Sequence, residues 1–149
     1  FEPVGAVAFS PDGNTLAIAI SFKNIIKLID LKSRKEILTL SGHLGSVRSL
    51  VFSPDGKNLV SGGEDKSIKL WNIGTGKSIQ TFNGHEDWVW SLAFSPDGKT
   101  LASGSRGKTI KFWNLENGRE LKTIQGNSAV FRPIAFSPNG KIIAAGGDK

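Results

Sequence analysis

The sequence predicts an all-β protein built from repeated four-stranded antiparallel units. Three observations carry that reading. The chain returns the segment FSPDG at residues 9–13, 52–56 and 94–98 and FSPNG at 136–140, in steps of 43, 42 and 42 residues, a period that marks a repeat architecture. Within each period, short runs rich in Val, Ile and Leu are bounded by Gly, Pro, Asn and Asp, the pattern of strands and turns. No stretch carries a helix signal.

The copy at residues 42–82 is the best preserved and sets the reference. Its first strand is expected at 46–52, a well-buried run of Val and Leu. Ser53-Pro54-Asp55-Gly56 then turns the chain, with Pro pre-setting φ and Gly supplying a positive φ. A second strand follows at 58–62, and Glu64, Asp65 and Lys66 make a tight turn into a third at 67–72, where Ile68 and Leu70 alternate with Ser67 and Lys69. Another turn at 74–77 leads to a fourth strand at 78–82.

The same pattern places strands at 4–9, 15–20, 25–30 and 36–40 in the first copy, and at 88–94, 100–104, 109–114 and 120–124 in the third. The fourth copy offers strands at 130–136 and 141–146. Four strands and no helix make a blade, and blades arranged radially make a propeller. The expected organisation is a single partial propeller of about 3.5 blades over residues 1–149, with copies at about 1–41, 42–83, 84–125 and 126–149 and no internal linker.

The series Gly-His, an FSPDG turn, Ser-Gly-Gly-x-Asp and a closing Leu-Trp-Asn resembles the WD-repeat β-propellers over essentially the whole chain. The resemblance implies a hydrogen-bond chain that ties each blade, carried in the reference copy by His43, Ser61, Asp65 and Trp71. Such a chain makes physical sense, because a buried indole N–H needs an acceptor and a hydroxyl accepts while donating onward. The third copy keeps His85, Ser103 and Trp113 but has Gly107 in the Asp slot. The fourth has Asn127 for His and Ala145 for Ser, and the first has Ile29 for Trp and Ile18 for Ser. The second blade is therefore expected to be the firmest.

Composition excludes several functions. The absence of Cys removes disulfides, thiolate metal sites and cysteine nucleophiles. No run of about 18 apolar residues could form a membrane-spanning helix, and no signal peptide or lipidation motif is visible. The chain begins at Phe1 and contains no Met, so a missing natural N-terminus is expected; so is an intracellular, cytoplasmic setting. The net charge of +6 suggests nucleic acid or an anionic surface as an alternative partner. Position favours a duller cause: Lys27, Lys69 and Lys111 share one slot of the repeat and Lys57, Lys99 and Lys141 another, where lysine keeps exposed β-structure soluble and blunts edges.

No constellation points to catalysis, a cofactor or a metal. His43 and His85 occupy equivalent slots of neighbouring copies rather than converging, and no metal-ligand spacing is present. Ser61, His43 and Asp65 have the composition of a triad, but the repeat accounts for all three and the GxSxG elbow is missing. The Gly-rich segments SGGED, SGSRG and AGGDK lack the following helix and GK[ST] ending of a phosphate loop.

The informative departure is the segment HEDWVW at residues 85–90. Period-2 alternation puts Trp88 and Trp90 on the face opposite Val89, which the family pattern makes a blade-core residue. The resemblance then places both indoles at the rim of the propeller's top face, near the central channel, where such proteins commonly dock partners. Residues in the matching slots are Pro3 and Gly5, Ser46 and Arg48, and Val130 and Arg132. Glu64, Arg106 and Asp148, in the turn after the second strand, should border the same face. Two Trp flanked by Arg have the composition of an interaction hot spot. The expected function is a non-enzymatic protein-interaction scaffold that binds a protein or peptide with acidic groups through Arg48, Glu64, Trp88, Trp90, Arg106 and Arg132. Packing of the indoles on a neighbouring blade is the rival reading.

Radial closure needs about four to eight blades, so completion is expected from further blades of a longer chain or from self-association. Head-to-tail pairing of two copies would juxtapose two half-blades, which favours the longer chain.

Overall fold

The computed structural model describes residues 2–127 and 131–147. Fourteen strands among them form antiparallel sheets of four, four, four and two. The first sheet holds β1 (Val4–Phe9), β2 (Thr15–Ile20), β3 (Ile25–Asp30) and β4 (Lys35–Ser41). The second holds β5 (Val47–Phe52), β6 (Asn58–Gly63), β7 (Ile68–Asn72) and β8 (Lys77–Phe82), and the third β9 (Val89–Phe94), β10 (Thr100–Ser105), β11 (Thr109–Asn114) and β12 (Glu120–Gln125). Strands β13 (Phe131–Phe136) and β14 (Ile143–Gly147) form the last. Every sheet is a simple meander in sequence order.

Most strand ends coincide with the sequence expectation and the rest differ by one or two residues, because the turns between strands are fixed locally. Each FSPDG turn closes on its own Ser: Ser53 Oγ donates to Asp55 (2.5 Å), Asn58 N–H donates back to Ser53 Oγ (3.0 Å), and Gly56 takes φ +71°. The turn between β2 and β3 departs further. Residues Ser21–Lys23 form one turn of 3-10 helix ended by Asn24 in the left-handed region, where the second and third blades have a tight turn with Lys66 or Lys108 at positive φ.

The core lies between sheets rather than within them. Ala17, Ala19, Ile26, Leu28 and Leu40 of the first blade pack with Val47, Leu50, Phe52, Leu59 and Trp71 of the second. Val60, Ile68, Leu70 and Phe82 meet Val89, Leu92, Leu101 and Trp113 in the same way, and Ala93, Ala102 and Ile110 meet Phe131 and Ile134. The first strands β1, β5, β9 and β13 run side by side along the inner edge, and β4, β8 and β12 are the outer edges. Close approach of successive blades depends on glycine: a Cβ on Gly62 would stand 2.6 Å from Val89 Cγ1, and one on Gly104 would stand 2.6 Å from Ile134 Cδ1.

The repeated lysines of the third strands are engaged by the outer edge. Lys27 pairs with Glu36 (2.9 Å) and Lys111 with Glu120 (2.8 Å), each across the β3–β4 or β11–β12 ladder. Lys69 donates to Thr81 (3.2 Å), since Ser78 stands where the other blades have Glu.

Candidate partner-binding surface

The inner strands share an irregularity that positions the site. The ladder between first and second strands skips Gly5 in β1, Arg48 in β5, Trp90 in β9 and Arg132-Pro133 in β13. A bulge adds an unpaired residue and re-aims its side chain, so each blade presents its bulged residue at the same end of the inner strand. The flanking residues Val47, Val89 and Phe131 stay buried in the blade junctions.

These bulges bring the six predicted rim residues together. The Trp88 and Trp90 rings lie 6.1 Å apart at 44°. Arg106 covers Trp88 at 5.1 Å, and Trp90 is covered by Arg48 at 5.4 Å and Arg132 at 4.4 Å. Glu64 holds Arg48 in a fork: Nε donates to Oε1 at 2.8 Å and a terminal guanidinium nitrogen donates to the same oxygen. The result is a continuous stack, Arg106 on Trp88 beside Trp90 under Arg48 and Arg132, drawn from three blades. Asp148, expected to border it, lies outside the described residues.

A second set of polar residues is structural. In the second blade Trp71 Nε1–H donates to Ser61 Oγ (2.8 Å), Ser61 meets His43 Nε2 (2.7 Å), and His43 Nδ1 meets Asp65 (2.8 Å). Asp65 also accepts from Leu44 N–H and Ser67 Oγ. Burial opposes the charge on Asp65, but these donors outweigh it and hold the carboxyl far below its ordinary value of 3.8. In the third blade Trp113 donates to Ser103 (2.8 Å), and Ser103 meets His85 Nε2 (2.6 Å).

With Gly107 in the Asp slot, His85 Nδ1 turns to Thr109 Oγ1 (3.2 Å), which in turn meets Ser105 Oγ (3.0 Å). Sequence reasoning missed this hydroxyl relay; its signal is Ser105, which has no counterpart hydroxyl at Gly63. Burial, with Lys111 adding to it, pulls the His85 imidazole down from 6.5 to about 4. The two tryptophan classes differ accordingly. Trp71 and Trp113 are buried and tied to serine, whereas Trp88 and Trp90 are half-buried and neither indole N–H reaches an acceptor among the described residues.

A carboxylate in the vacant slot should restore the missing link. A Cβ on Gly107 meets nothing closer than 3.4 Å, and the glycine does not need a positive φ. We expect Gly107→Asp to stabilise the protein by about 1 kcal/mol, since a hydrogen bond to a charged group is worth about 1.5–3 kcal/mol and the like charge of Asp87, whose Cβ lies 3.4 Å from the new Cβ, offsets part of it. A thermal midpoint raised by a few degrees at neutral pH checks this, and an unchanged or lower midpoint contradicts it.

The recesses between successive FSPDG turns, such as the one lined by Ser53, Pro54, Asp55, Asp97 and Gly98, lie at the opposite end of the inner strands and contain none of the stacked side chains. Among the described residues no group of three or more His, Asp or Glu could hold a metal ion, and no helix is long and apolar enough to cross a membrane.

Comparison with known proteins agrees with the architecture. Residues 3–149 match a family model described as the first β-propeller of IFT122. A stretch of 49 residues is 55% identical to DDB1- and CUL4-associated factor 13 of Dictyostelium discoideum, covering 33% of this chain and 11% of that protein. A 61-residue stretch is 38% identical to an uncharacterized WD repeat-containing protein of Synechocystis, covering 41% of this chain and 18% of that one. Nuclear distribution protein PAC1 of Coccidioides posadasii is 41% identical over 66 residues, covering 44% of this chain and 14% of that protein. The chain thus spans less than a fifth of the length of each of these relatives.

Proposed function

The chain belongs to the WD-repeat β-propeller family, and from that premise we propose that it is a non-enzymatic protein-interaction module that docks a protein or peptide partner on the Arg–Trp stack. The observation that carries the reading is the stack itself. Three guanidinium groups and two half-buried indoles from three blades converge at one rim. Indoles anchor an interface through area burial, and Arg adds planar donors that match carboxylates. Arg106 and Lys108 carry no ion pair among the described residues, which suits acidic groups on the partner. The lysines behind the basic excess recur at two repeat slots, Lys27, Lys69 and Lys111 and Lys57, Lys99 and Lys141, spread over successive blades, which weighs against a single nucleic-acid patch.

Completion of the ring belongs to the same proposal. Val4, Val7 and Phe9 are exposed on β1, while their counterparts Val47, Leu50 and Phe52 on β5 are buried by the preceding blade. A further blade of the same polypeptide would cover them, and a stable, monodisperse dimer in sedimentation would contradict that assignment.

The site is tested with a panel of fluorescein-labelled acidic peptides. Trp90→Ala and Trp88→Ala should each weaken the best binder by tenfold or more, roughly the effect of removing a hot-spot aromatic, with the thermal midpoint preserved. Unchanged anisotropy titrations in folded variants would place the interface elsewhere. Loss of binding that tracks salt alone, with all variants equal, would indicate the nucleic-acid type of surface instead.

A further inference from the structure

Asparagine is followed by glycine at three places, Asn83-Gly84, Asn117-Gly118 and Asn139-Gly140. Such a pair is chemically vulnerable, because a glycine without Cβ leaves its own nitrogen unshielded and able to approach the amide carbon of the residue before it. All three asparagines are exposed, so access to water does not separate them. Their hydrogen bonds do.

In two of the pairs both reacting groups are occupied. Asn139 Oδ1 accepts from Ser137 Oγ (2.8 Å) and Lys141 N–H (3.1 Å), and Gly140 N–H donates to the Ser137 carbonyl (2.8 Å). Asn117 Oδ1 accepts from Arg119 N–H (3.0 Å), and Gly118 N–H donates to the Asn114 carbonyl (2.8 Å). Reaction at either pair must first break those bonds, which takes a local opening of the turn.

Asn83 and Gly84 differ. They lie in the loop between β8 and β9, joining two blades whose strands are all described, and neither the Asn83 amide nor the Gly84 N–H is hydrogen-bonded among the described residues. The equivalent slot holds Ser41 in the first copy, which has no amide. In the third it holds Gln125, and there the following Gly126 N–H is kept by the Lys108 carbonyl (2.9 Å).

We propose that Asn83 is a site of spontaneous intramolecular modification. The Gly84 nitrogen attacks Asn83 Cγ: the N–Cγ bond forms, the Cγ–Nδ2 bond breaks, and Nδ2 leaves as ammonia with the proton from Gly84. Water then opens the cyclic imide. Cleavage at Cγ leaves aspartate, whereas cleavage at the backbone carbonyl leaves isoaspartate, whose main chain runs through Cγ and is longer by a methylene.

The location gives the second product a consequence. Gly84 packs against the third blade, where a Cβ on it would stand 3.2 Å from Trp113 Cη2. His85 follows at once, buried and bonded through Nε2 to Ser103 (2.6 Å), the acceptor for Trp113. Phe82 and His85 are both buried, and a lengthened main chain between them displaces one or the other. Isoaspartate therefore loosens the polar tie of the third blade, while aspartate keeps the chain length and spares it.

Peptide mapping by mass spectrometry tests the site in protein held folded at mildly alkaline pH. Asn83 should convert from amide to acid at least about tenfold faster than Asn117 or Asn139, because opening even two ordinary hydrogen bonds slows a reaction by about that factor. In urea-unfolded protein the three should react at similar rates. Asn83→Ser takes the residue of the first copy and should keep the parent's thermal midpoint before and after ageing. The isoaspartate fraction of the parent should unfold at a lower temperature, and fresh Asn83→Asp should match the unaged parent.

Equal rates at the three asparagines of the folded protein, or slower conversion at Asn83, would overturn the site. An isoaspartate fraction with the parent's midpoint would overturn its effect on the third blade.

Discussion

Replacing Trp71 by alanine should lower the unfolding free energy by about 3–5 kcal/mol, the cost of truncating a large buried aromatic side chain. Trp71 is 2% exposed and belongs to the core that joins the first blade to the second. Its removal opens a cavity at the junction and leaves Ser61 Oγ without the indole donor, so the His43–Ser61 link loses its inner support. Trp71→Phe separates the two effects. It keeps most of the ring while orphaning the hydroxyl, and should cost about 1–3 kcal/mol. Urea titrations that report the midpoint and slope together check both values. A loss below about 1 kcal/mol for Trp71→Ala would mean that the blade does not depend on this node.

Acid should destabilise the protein in two separate windows. His85 is buried beside Lys111, with Ser103 and Thr109 on its ring nitrogens and Glu120 nearby, and its folded pKa is about 4 against 6.5 for the free side chain. Between those values the unfolded chain binds a proton that the folded chain does not, so stability falls as pH drops from 6.5 towards 4. The loss reaches about 3 kcal/mol at most and adds nothing below that window, where both states are protonated.

Asp65 behaves in the opposite chemical sense but with the same direction. Its folded pKa is depressed from 3.8, so its contribution is complete above that value and is lost only as pH falls further. Unfolding free energies at pH 7, 5.5 and 4.5 for the parent and His85→Gln isolate the first window: the parent should lose stability steadily and the variant much less. Equal slopes would mean that His85 does not titrate as its burial requires.

The period, the four strands per unit and the tying residues of the second blade were legible because each is stated several times over in the sequence. A turn such as Ser53-Pro54-Asp55-Gly56 carries its own chemistry, and its recurrence fixes the frame for every other position. The inner-strand bulges were not legible. Skipping Arg48 or Trp90 in the ladder leaves the repeat length unchanged and is visible only in the partner register. Alternation put Trp88 and Trp90 on the face opposite Val89 and the resemblance put that face at the rim, yet neither could predict that Arg48 and Arg132 would fold over the same indole.

The role of Thr109 was hidden for a different reason. A conservative Ser-to-Thr change between Ser67 and Thr109 masks a change of job, from supporting Asp65 to replacing it at His85. The Lys27–Glu36 and Lys111–Glu120 pairs could have been found, since both members recur at a spacing of nine residues that a β-hairpin brings face to face.

The central claim, that partners bind on the Arg–Trp stack, is tested most directly by the indole N–H signals of the four tryptophans in the 15N-labelled protein during titration with the tightest-binding acidic peptide. Two of these side chains are core and two are rim, so each protein carries its own internal control. The account predicts saturable shifts of the Trp88 and Trp90 signals while Trp71 and Trp113 stay fixed. Saturable binding that leaves Trp88 and Trp90 unmoved would contradict it.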